Sequence, residues 1–342
     1  MGSDLGPKVI LRGAFEYLQD NTENGLKIYV IGRRQVLVEA WDSLILSYKK
    51  KRRKIREVSI EFVDAPDVVE MDEPVSRGMK KRNSSLAVAL QMHKEGEVDA
   101  VVSAGSTGVF MARGVLTLGT LEGVARPAIA TSFPTAGERD AFMLDVGANV
   151  NTPPVQLFQF GQMGSIYCSY VNQIKKPRVG LLSIGEEKIK GNTSTIQAYK
   201  FFEESSLNFI GNIEGNDILR GTADVIVTDG FTGNVLLKFG ESIKPFLFSK
   251  VKRQVSSNLF SRIGAFLMAP FLMRMRNMFD YSHYGGAPLL GVNGVMIICH
   301  GSSSPRAIKN AIKMASRMVK KSVNDHIRSK LTESAVLEKV KP

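Results

Sequence analysis

Five stretches of this chain end an apolar run on a loop of glycines and short polar residues: VVSAGSTG at 101–108, MLDVGANVN at 143–151, LLSIGEEKIKGN at 181–192, DVIVTDGFTGNVLLK at 224–238 and IICHGSSSP at 297–305. Such loops let backbone N–H groups approach a ligand closely, and where a helix follows, its first unpaired N–H groups form a natural anion seat. In the fourth stretch Gly230 and Gly233 permit a sharp turn, while Thr232 and Asn234 place hydrogen-bonding side chains at the expected helix start. Two further side chains carry more pointed chemistry. Lys190, close to Glu186 and Glu187 and followed by Gly191, is a cation able to meet an anion or a developing oxyanion, although a plain surface lysine would be spelled the same way. His300, beside Gly301 and Ser302, suits a ligand contact or a structural hydrogen bond equally well. It adjoins Cys299, but neighbours on a strand face opposite sides, so a buried cysteine is expected there rather than a thiol–imidazole dyad.

Other chemistries are not spelled out. There is no Walker A pattern, no HExxH, no paired CxxC, no GxSxG and no GxGxxG with an acidic residue downstream. Two cysteines and four scattered histidines give neither a disulfide framework nor a zinc spacing, so no metal and no cofactor is expected. The opening MGSDLGPKVILRG lacks the basic and apolar regions of a secretory signal, and a cytoplasmic setting is the expectation. Lys plus Arg outnumber Asp plus Glu by 45 to 33, a formal charge of +12, which favours polyanionic partners such as an acidic protein or an anionic lipid surface. The basic run KKKRRK at 49–54 reads as a solvated helix end or as a docking patch; it contains no aromatic residue for base stacking, and no nucleic-acid partner is expected.

The elements that must carry these loops alternate. Helices are expected near 8–20, 35–49, 108–121, 154–172, 193–203 and 305–326, with strands near 26–31, 58–63, 98–103, 127–132, 142–145, 179–183, 207–211 and 294–299. Asn83-Ser84-Ser85 reads as a helix N-cap preceded by the basic cluster Arg77, Lys80, Lys81 and Arg82, which is either a substrate-side patch or surface. The pattern is α/β: a three-layer αβα arrangement around a doubly wound, mostly parallel sheet. In such a sheet the strand exits share one edge, so the five loops are expected to converge on a crevice. A single domain over 1–342 is expected, with an insertion at about 241–284.

That insertion departs from the alternation. SSNLFSRIGAFLMAPFLMRMRNMFD at 256–280 is dense in Phe, Leu and Met, and the 11 uncharged residues between Arg262 and Arg274 are too few to span a bilayer, which needs about 20. Two short helices broken at Pro270 are expected, forming a protruding hairpin. Its apolar residues Leu259, Phe260, Phe266, Leu267, Phe271 and Leu272 fit core or dimer packing, a membrane surface flanked by arginines, or a groove for an acyl chain.

The segments SAGSTG, LDVGANV, RVGLLSIGEEKIKGN, NFIGNIEGNDILRGTADVIVTDGFTGNVLLK and YGGAPLLGVNGVMIICHGSSS resemble, in order and spacing, the bacterial phosphate acyltransferase family of phospholipid synthesis, from Gly2 to about Val323. The resemblance implies an isopropylmalate dehydrogenase-like sheet and transfer of a long-chain fatty acyl group from acyl carrier protein to inorganic phosphate. It also implies a homodimer working at the inner face of the membrane, with a membrane glycerol-3-phosphate acyltransferase consuming the acyl phosphate. Phosphate would lie in the loops Ser103, Gly105, Ser106, Thr107 and Gly108, Gly147 and Asn149, and Thr232 and Gly233, with His300, Gly301 and Ser302 nearby and Lys190 and Asn234 as the catalytic pair. Such a reaction needs no protein nucleophile, because phosphate is itself the nucleophile and a thioester is already activated. Ser106 departs from the family's usual asparagine and keeps one donor in place of two. Met1 to Lys8 resembles a loop that in the family follows a first strand; an upstream start is expected, the alternative being a sheet one strand short. Coenzyme A as the acyl carrier and a membrane-surface scaffold are the competing readings.

Overall fold

Runs such as Phe142–Leu144 and Val225–Val227, buried along their whole length, are what a strand covered on both faces of a parallel sheet requires. The computed structural model describes residues 1–21, 25–50, 55–256, 259–271, 273 and 281–332. Lys51–Lys54 of the basic run and Leu272 of the apolar segment lie outside them. The chain forms two compact units, one of residues 1–131, 166–175 and 282–342, the other of residues 132–165 and 176–281.

In the first unit, β1 (Ile28–Gly32) and β2 (Ile60–Asp64) form a parallel pair. A second ladder runs in the order β3 (Val101–Ser103), β10 (Met296–Ile298), β9 (Ala287–Leu290), β4 (Ala128–Phe133). β10 is parallel to β3, whereas β9 is antiparallel to both of its neighbours. Helices α1 (Pro7–Asp20), α2 (Arg34–Lys50), α3 (Val75–Gly78), α4 (Ser85–Lys94), α5 (Thr107–Leu118), α11 (Pro305–Lys320) and α12 (Val323–Thr332) complete this unit. Phe15 of α1 meets Trp41 and Tyr48 of α2 edge-on, and Trp41 in turn meets Phe62 of β2, which fixes α2 across the β1–β2 pair. Ser84 caps α4 by accepting from Ala87 N, as its sequence suggested.

The second unit is wholly parallel, in the order β5 (Ala141–Leu144), β8 (Val225–Val227), β6 (Val179–Leu182), β7 (Phe209–Ile213). Its helices are α6 (Pro154–Tyr170), α7 (Thr193–Glu203), α8 (Gly215–Arg220), α9 (Gly230–Val255) and α10 (Leu259–Leu267). Phe202 stands edge-on to Phe158 at 5.3 Å and stacks on Phe209 at 5.0 Å, joining α6, α7 and β7 in one aromatic core. The mostly parallel, helix-flanked α/β architecture matches the expectation from sequence. Helix α9 runs from Gly230 through Pro245 to Val255, into the expected insertion. Two local readings need correction. The apolar segment turns at Met268, two residues before Pro270, which sits in the opening turn of the next helical stretch, where a missing N–H is harmless. The strand expected at 207–211 lies at Phe209–Ile213, because Asn208 O and Asn212, Ile213 engage β6 and the residue after it.

The starts of β6 and β8 are pinned by one ion pair. Arg178 donates through Nε and Nη2 to the two carboxylate oxygens of Asp224, both at 3.1 Å, and through its backbone N–H at 2.8 Å, while the Asp224 side chain is only 3% exposed. Burial opposes ionisation, but the hydrogen bonds and charge of Arg178 hold the Asp224 carboxyl below its ordinary value. Arg178→Met is expected to lower unfolding free energy by about 2–3 kcal/mol in urea titrations, since it strands a buried carboxylate. A depressed carboxyl stabilises the fold above its unfolded value, near pH 4, and loses that contribution as pH falls through its lower folded value. Asp224→Asn should therefore flatten the acid limb of the stability curve.

Candidate active site

Leu144 of β5, Val227 of β8 and Leu181 of β6 stand in one row across three parallel strands. The loops that follow them, 145–149, 228–234 and 183–192, therefore leave the same edge of the second unit side by side.

Asp145 organises the first of these loops. Its side chain is fully buried and its oxygens accept from Gly147 N (3.1 Å), Ala148 N (3.0 Å), Asn149 N (2.7 Å) and Asn149 Nδ2 (2.9 Å). Burial pushes the carboxyl above its ordinary value and these donors pull it back; four donors around it suit the carboxylate form. The second loop closes on the first. Gly230 N donates to Asn149 O at 2.8 Å, and a Cβ on Gly230 would lie 2.7 Å from Asp145 Oδ2. A Cβ on Gly233 would lie 1.9 Å from Asp145 O, so only glycine permits this approach.

The cap of α9 differs from the sequence expectation. Asp229, not Thr232 or Asn234, is the N-cap: its Oδ1 accepts from Thr232 N and its Oδ2 from Thr232 Oγ1, both at 2.8 Å. Helix α9 starts at Gly230, so Asn234 falls one turn in, exposed, with its amide carbon 3.6 Å from where a Gly147 Cβ would be. Capping by Asp229, five residues upstream, leaves the Asn234 amide available to a ligand.

Lys190 lies in the third loop. Its backbone is fixed by Lys190 N to Glu187 O (3.0 Å) and Ser183 Oγ to Lys190 O (2.9 Å), and its side chain is exposed. Glu186 and Glu187, close to it in sequence, form no ion pair with Lys190 among the described residues; Lys188 pairs with Glu203. Among the described residues Lys190 has no ion-pair partner, and such a cation held on a fixed backbone suits an incoming anion better than a neutralised one.

The first unit carries the other predicted loops. Ser103 is in register with Ile298, and Cys299 N donates to Ser103 O at 2.7 Å, so Ser103–Gly108 and His300–Ser302 adjoin at the carboxyl ends of β3 and β10. Ser103 Oγ accepts from Gly105 N; Ser106 is the buried N-cap residue of α5 without a side-chain cap bond, and Thr107 and Gly108 open the helix. His300 is exposed, with Nδ1 3.2 Å from Ser302 N and 2.7 Å from Ser302 Oγ; accepting at Nδ1 places its proton on Nε2. Cys299 is buried and its thiol is pushed up to about 12, which keeps it neutral and out of nucleophilic chemistry. Gly301 O accepts from Asp4 N. Within the basic cluster Lys81 is committed to Glu73 and Val68 O, whereas Arg77, Lys80 and Arg82 are exposed. Arg113, which the sequence did not single out, holds this turn through Gly78 O and Lys81 O.

In the apolar segment Phe260, Phe266 and Leu267 are 87%, 77% and 74% exposed, and Phe271 is also exposed; Leu259 begins α10. Among the described residues no helix is long and apolar enough to cross a membrane.

Asp145 is the residue that sequence reasoning missed. Asp145→Asn would turn an NH2 toward N–H donors, and we expect a loss of about 3 kcal/mol in stability together with a slower steady-state rate. Urea titration and steady-state rates check it.

A family model described as "Fatty acid synthesis protein" matches residues 1–326. The chain is 47% identical over 320 residues to a protein of Moorella thermoacetica named phosphate acyltransferase, covering 93% of this chain and 90% of that one. It is 45% identical to the phosphate acyltransferase of Heliobacterium modesticaldum, with 97% of each chain covered. Among solved structures, a phosphotransacetylase from Streptococcus pyogenes superposes with a TM-score of 0.53 at 14% identity, over 91% of this chain and 98% of that one. The 4-hydroxythreonine-4-phosphate dehydrogenase of Klebsiella pneumoniae superposes with a TM-score of 0.52 at 11% identity, over 92% and 94%. At these identities the two structures share the fold.

Proposed function

We propose, from the premise that this chain belongs to the fatty acid synthesis protein family of the phosphate acyltransferases, that it moves a long-chain fatty acyl group from acyl carrier protein to inorganic phosphate. A phosphate oxygen attacks the thioester carbonyl, a tetrahedral oxyanion forms, the C–S bond breaks, and the carrier thiolate leaves and takes up a proton. The products are an acyl phosphate and free carrier protein.

The observation that carries this reading is the corner where Asp229, Gly230 and Gly233 close on the Asp145 loop, with the Asn234 amide exposed beside Gly147. Backbone N–H groups and the exposed Lys190 suit a phosphate dianion, and an amide donor suits the oxyanion. The loops Ser103–Gly108 and His300–Ser302 are further candidates for substrate contact. A net charge of +12 suits capture of an acidic carrier protein. Presenting palmitoyl acyl carrier protein and palmitoyl coenzyme A side by side tests the donor; equal kcat/KM for both would displace the carrier protein from this account, and no turnover of either would leave a scaffold.

Acyl phosphate is labile and amphiphilic, so its consumer is best placed at a membrane, and we place this cytoplasmic chain peripherally on that surface as a homodimer. The exposed apolar face of α10 supports membrane contact. The double variant Phe260→Ser/Phe266→Ser should weaken binding to anionic phospholipid vesicles at least about tenfold in sedimentation, with turnover of a soluble donor unchanged. Unaltered sedimentation would assign that face elsewhere.

A further inference from the structure

The turn between β2 and α4 carries positive charge that the described residues around it do not neutralise. Glu70 and Asp72 open it, and from Ser76 to Arg82 every charged residue is a cation. Lys81 is compensated, since its Nζ donates to Glu73 Oε2 at 2.7 Å and to Val68 O at 2.6 Å. That bond from Lys81 is the main reason the Glu73 carboxyl sits below its ordinary value, with Arg77 the smallest contributor. Arg77, Lys80 and Arg82 are exposed, and among the described residues none of them has an ion-pair partner. Arg113 of α5 feels the crowding: burial, and after it the charge of Arg82, pulls its guanidinium below the ordinary value.

The turn is braced. Arg113 donates to the carbonyls of Gly78, Met79 and Lys81, and Gly78 N to Pro74 O (3.0 Å), Met79 N to Val75 O (2.9 Å) and Lys81 N to Gly78 O (3.2 Å) close the main chain. Two apolar residues of the turn rest on the loops that β3 and β10 deliver. A Cβ on Gly108 would lie 3.0 Å from Val75 Cγ2, and one on Gly301 would lie 2.8 Å from Met71 Cε. Val75 and Met71 are nevertheless 42% and 37% exposed, so each also presents apolar surface to a partner. Residues 71–82 thus border both Ser103–Gly108 and His300–Ser302, with exposed apolar and cationic side chains on one short, fixed segment. Apolar contact area beside charged groups is the anatomy of a transient protein interface.

On the reading that an acyl carrier protein is the donor, we propose that the turn at 71–82 is the surface on which that acidic protein docks. Arg77, Lys80 and Arg82 meet its carboxylates, and Met71 and Val75 take the apolar contact. A macromolecule fits this turn better than a small anion. Exposed side chains, screened by water and salt, hold a single phosphate weakly, whereas several like charges on a fixed segment steer and orient an acidic protein. The segment from Met71 to Arg82 contains no aromatic residue on which a nucleic-acid base could stack. A carrier docked here stands beside the Ser103–Gly108 and His300–Ser302 loops, which then receive its acyl-bearing arm.

Titrating the full chain with unacylated acyl carrier protein, at low and at high salt, tests the dock without turnover. Lys80→Glu/Arg82→Glu is expected to weaken binding at least about tenfold at low salt, with the difference shrinking at high salt. Lys80→Arg/Arg82→Lys should bind as the wild type does. Lys49→Glu/Lys50→Glu, an equal change in net charge at the end of α2, should also leave binding near the wild-type level. In steady state the reversal should raise KM for palmitoyl acyl carrier protein at least about tenfold, with kcat and the turnover of the uncharged donor palmitoyl pantetheine unchanged. No carrier binding by the wild type, unaltered binding by the reversed chain, or an equal loss in the Lys49 and Lys50 variant would overturn the dock. So would an equal loss of palmitoyl pantetheine turnover, or a loss seen only in sedimentation with anionic phospholipid vesicles. A wild type that binds the carrier through this turn but transfers no acyl group to phosphate would overturn the proposed reaction and leave the dock standing.

Discussion

Asn234→Ala is expected to slow phosphate-dependent release of carrier-protein thiol by about 100- to 1,000-fold, with kcat and kcat/KM falling together, because an oxyanion donor acts in the transition state and little in the ground state. The side chain is exposed and its helix is capped by Asp229, so the unfolding midpoint should not move. That combination separates a catalytic amide from a structural one. Asn234→Asp, nearly the same shape but anionic, should be at least as slow, since it sets a negative charge against the developing oxyanion. A variant that kept wild-type kcat while raising KM would reassign Asn234 to ground-state binding.

Gly233→Ala is the second large effect, and it acts through the backbone. A Cβ 1.9 Å from Asp145 O cannot be accommodated by a side-chain shift, because the obstacle is main chain. Either the first turn of α9 lifts or the 145–149 loop retreats, and both separate Asn234 from Gly147. Overpacking of this kind costs about 3 kcal/mol, so urea titration should show the loss alongside turnover near background. Stability and turnover both close to wild type would mean that the two loops are not tightly apposed.

The strands of the second unit are legible because each is a short β-branched or apolar run with a glycine within three residues of its end, and Leu144, Val227 and Leu181 do stand in one row. The antiparallel β9 was not legible. Gly285, Gly286 and Pro288 spell a loop, yet Pro288 pairs opposite Ile297, where only the tertiary partner makes a strand of it. The site shows the same division. Glycine loops announce themselves locally, so 145–149, 183–192 and 228–234 are readable as loops from the sequence. The buried Asp145 was not, since a carboxylate whose donors are backbone N–H groups two to four residues ahead looks like any loop aspartate. The cap is ambiguous in sequence for a related reason: Asp229, Thr232 and Asn234 are all good cap residues, and only the fold shows which carbonyl begins the helix.

The central claim is that phosphate, and no group of the protein, attacks the thioester. The most direct measurement is to incubate the chain with palmitoyl acyl carrier protein, with and without inorganic phosphate, trap the product with hydroxylamine, and count hydroxamate against free thiol. The account predicts one hydroxamate per thiol with phosphate and neither without it. Thiol release without phosphate, or release with phosphate that yields free palmitate alone under conditions where acyl phosphate survives, would contradict it.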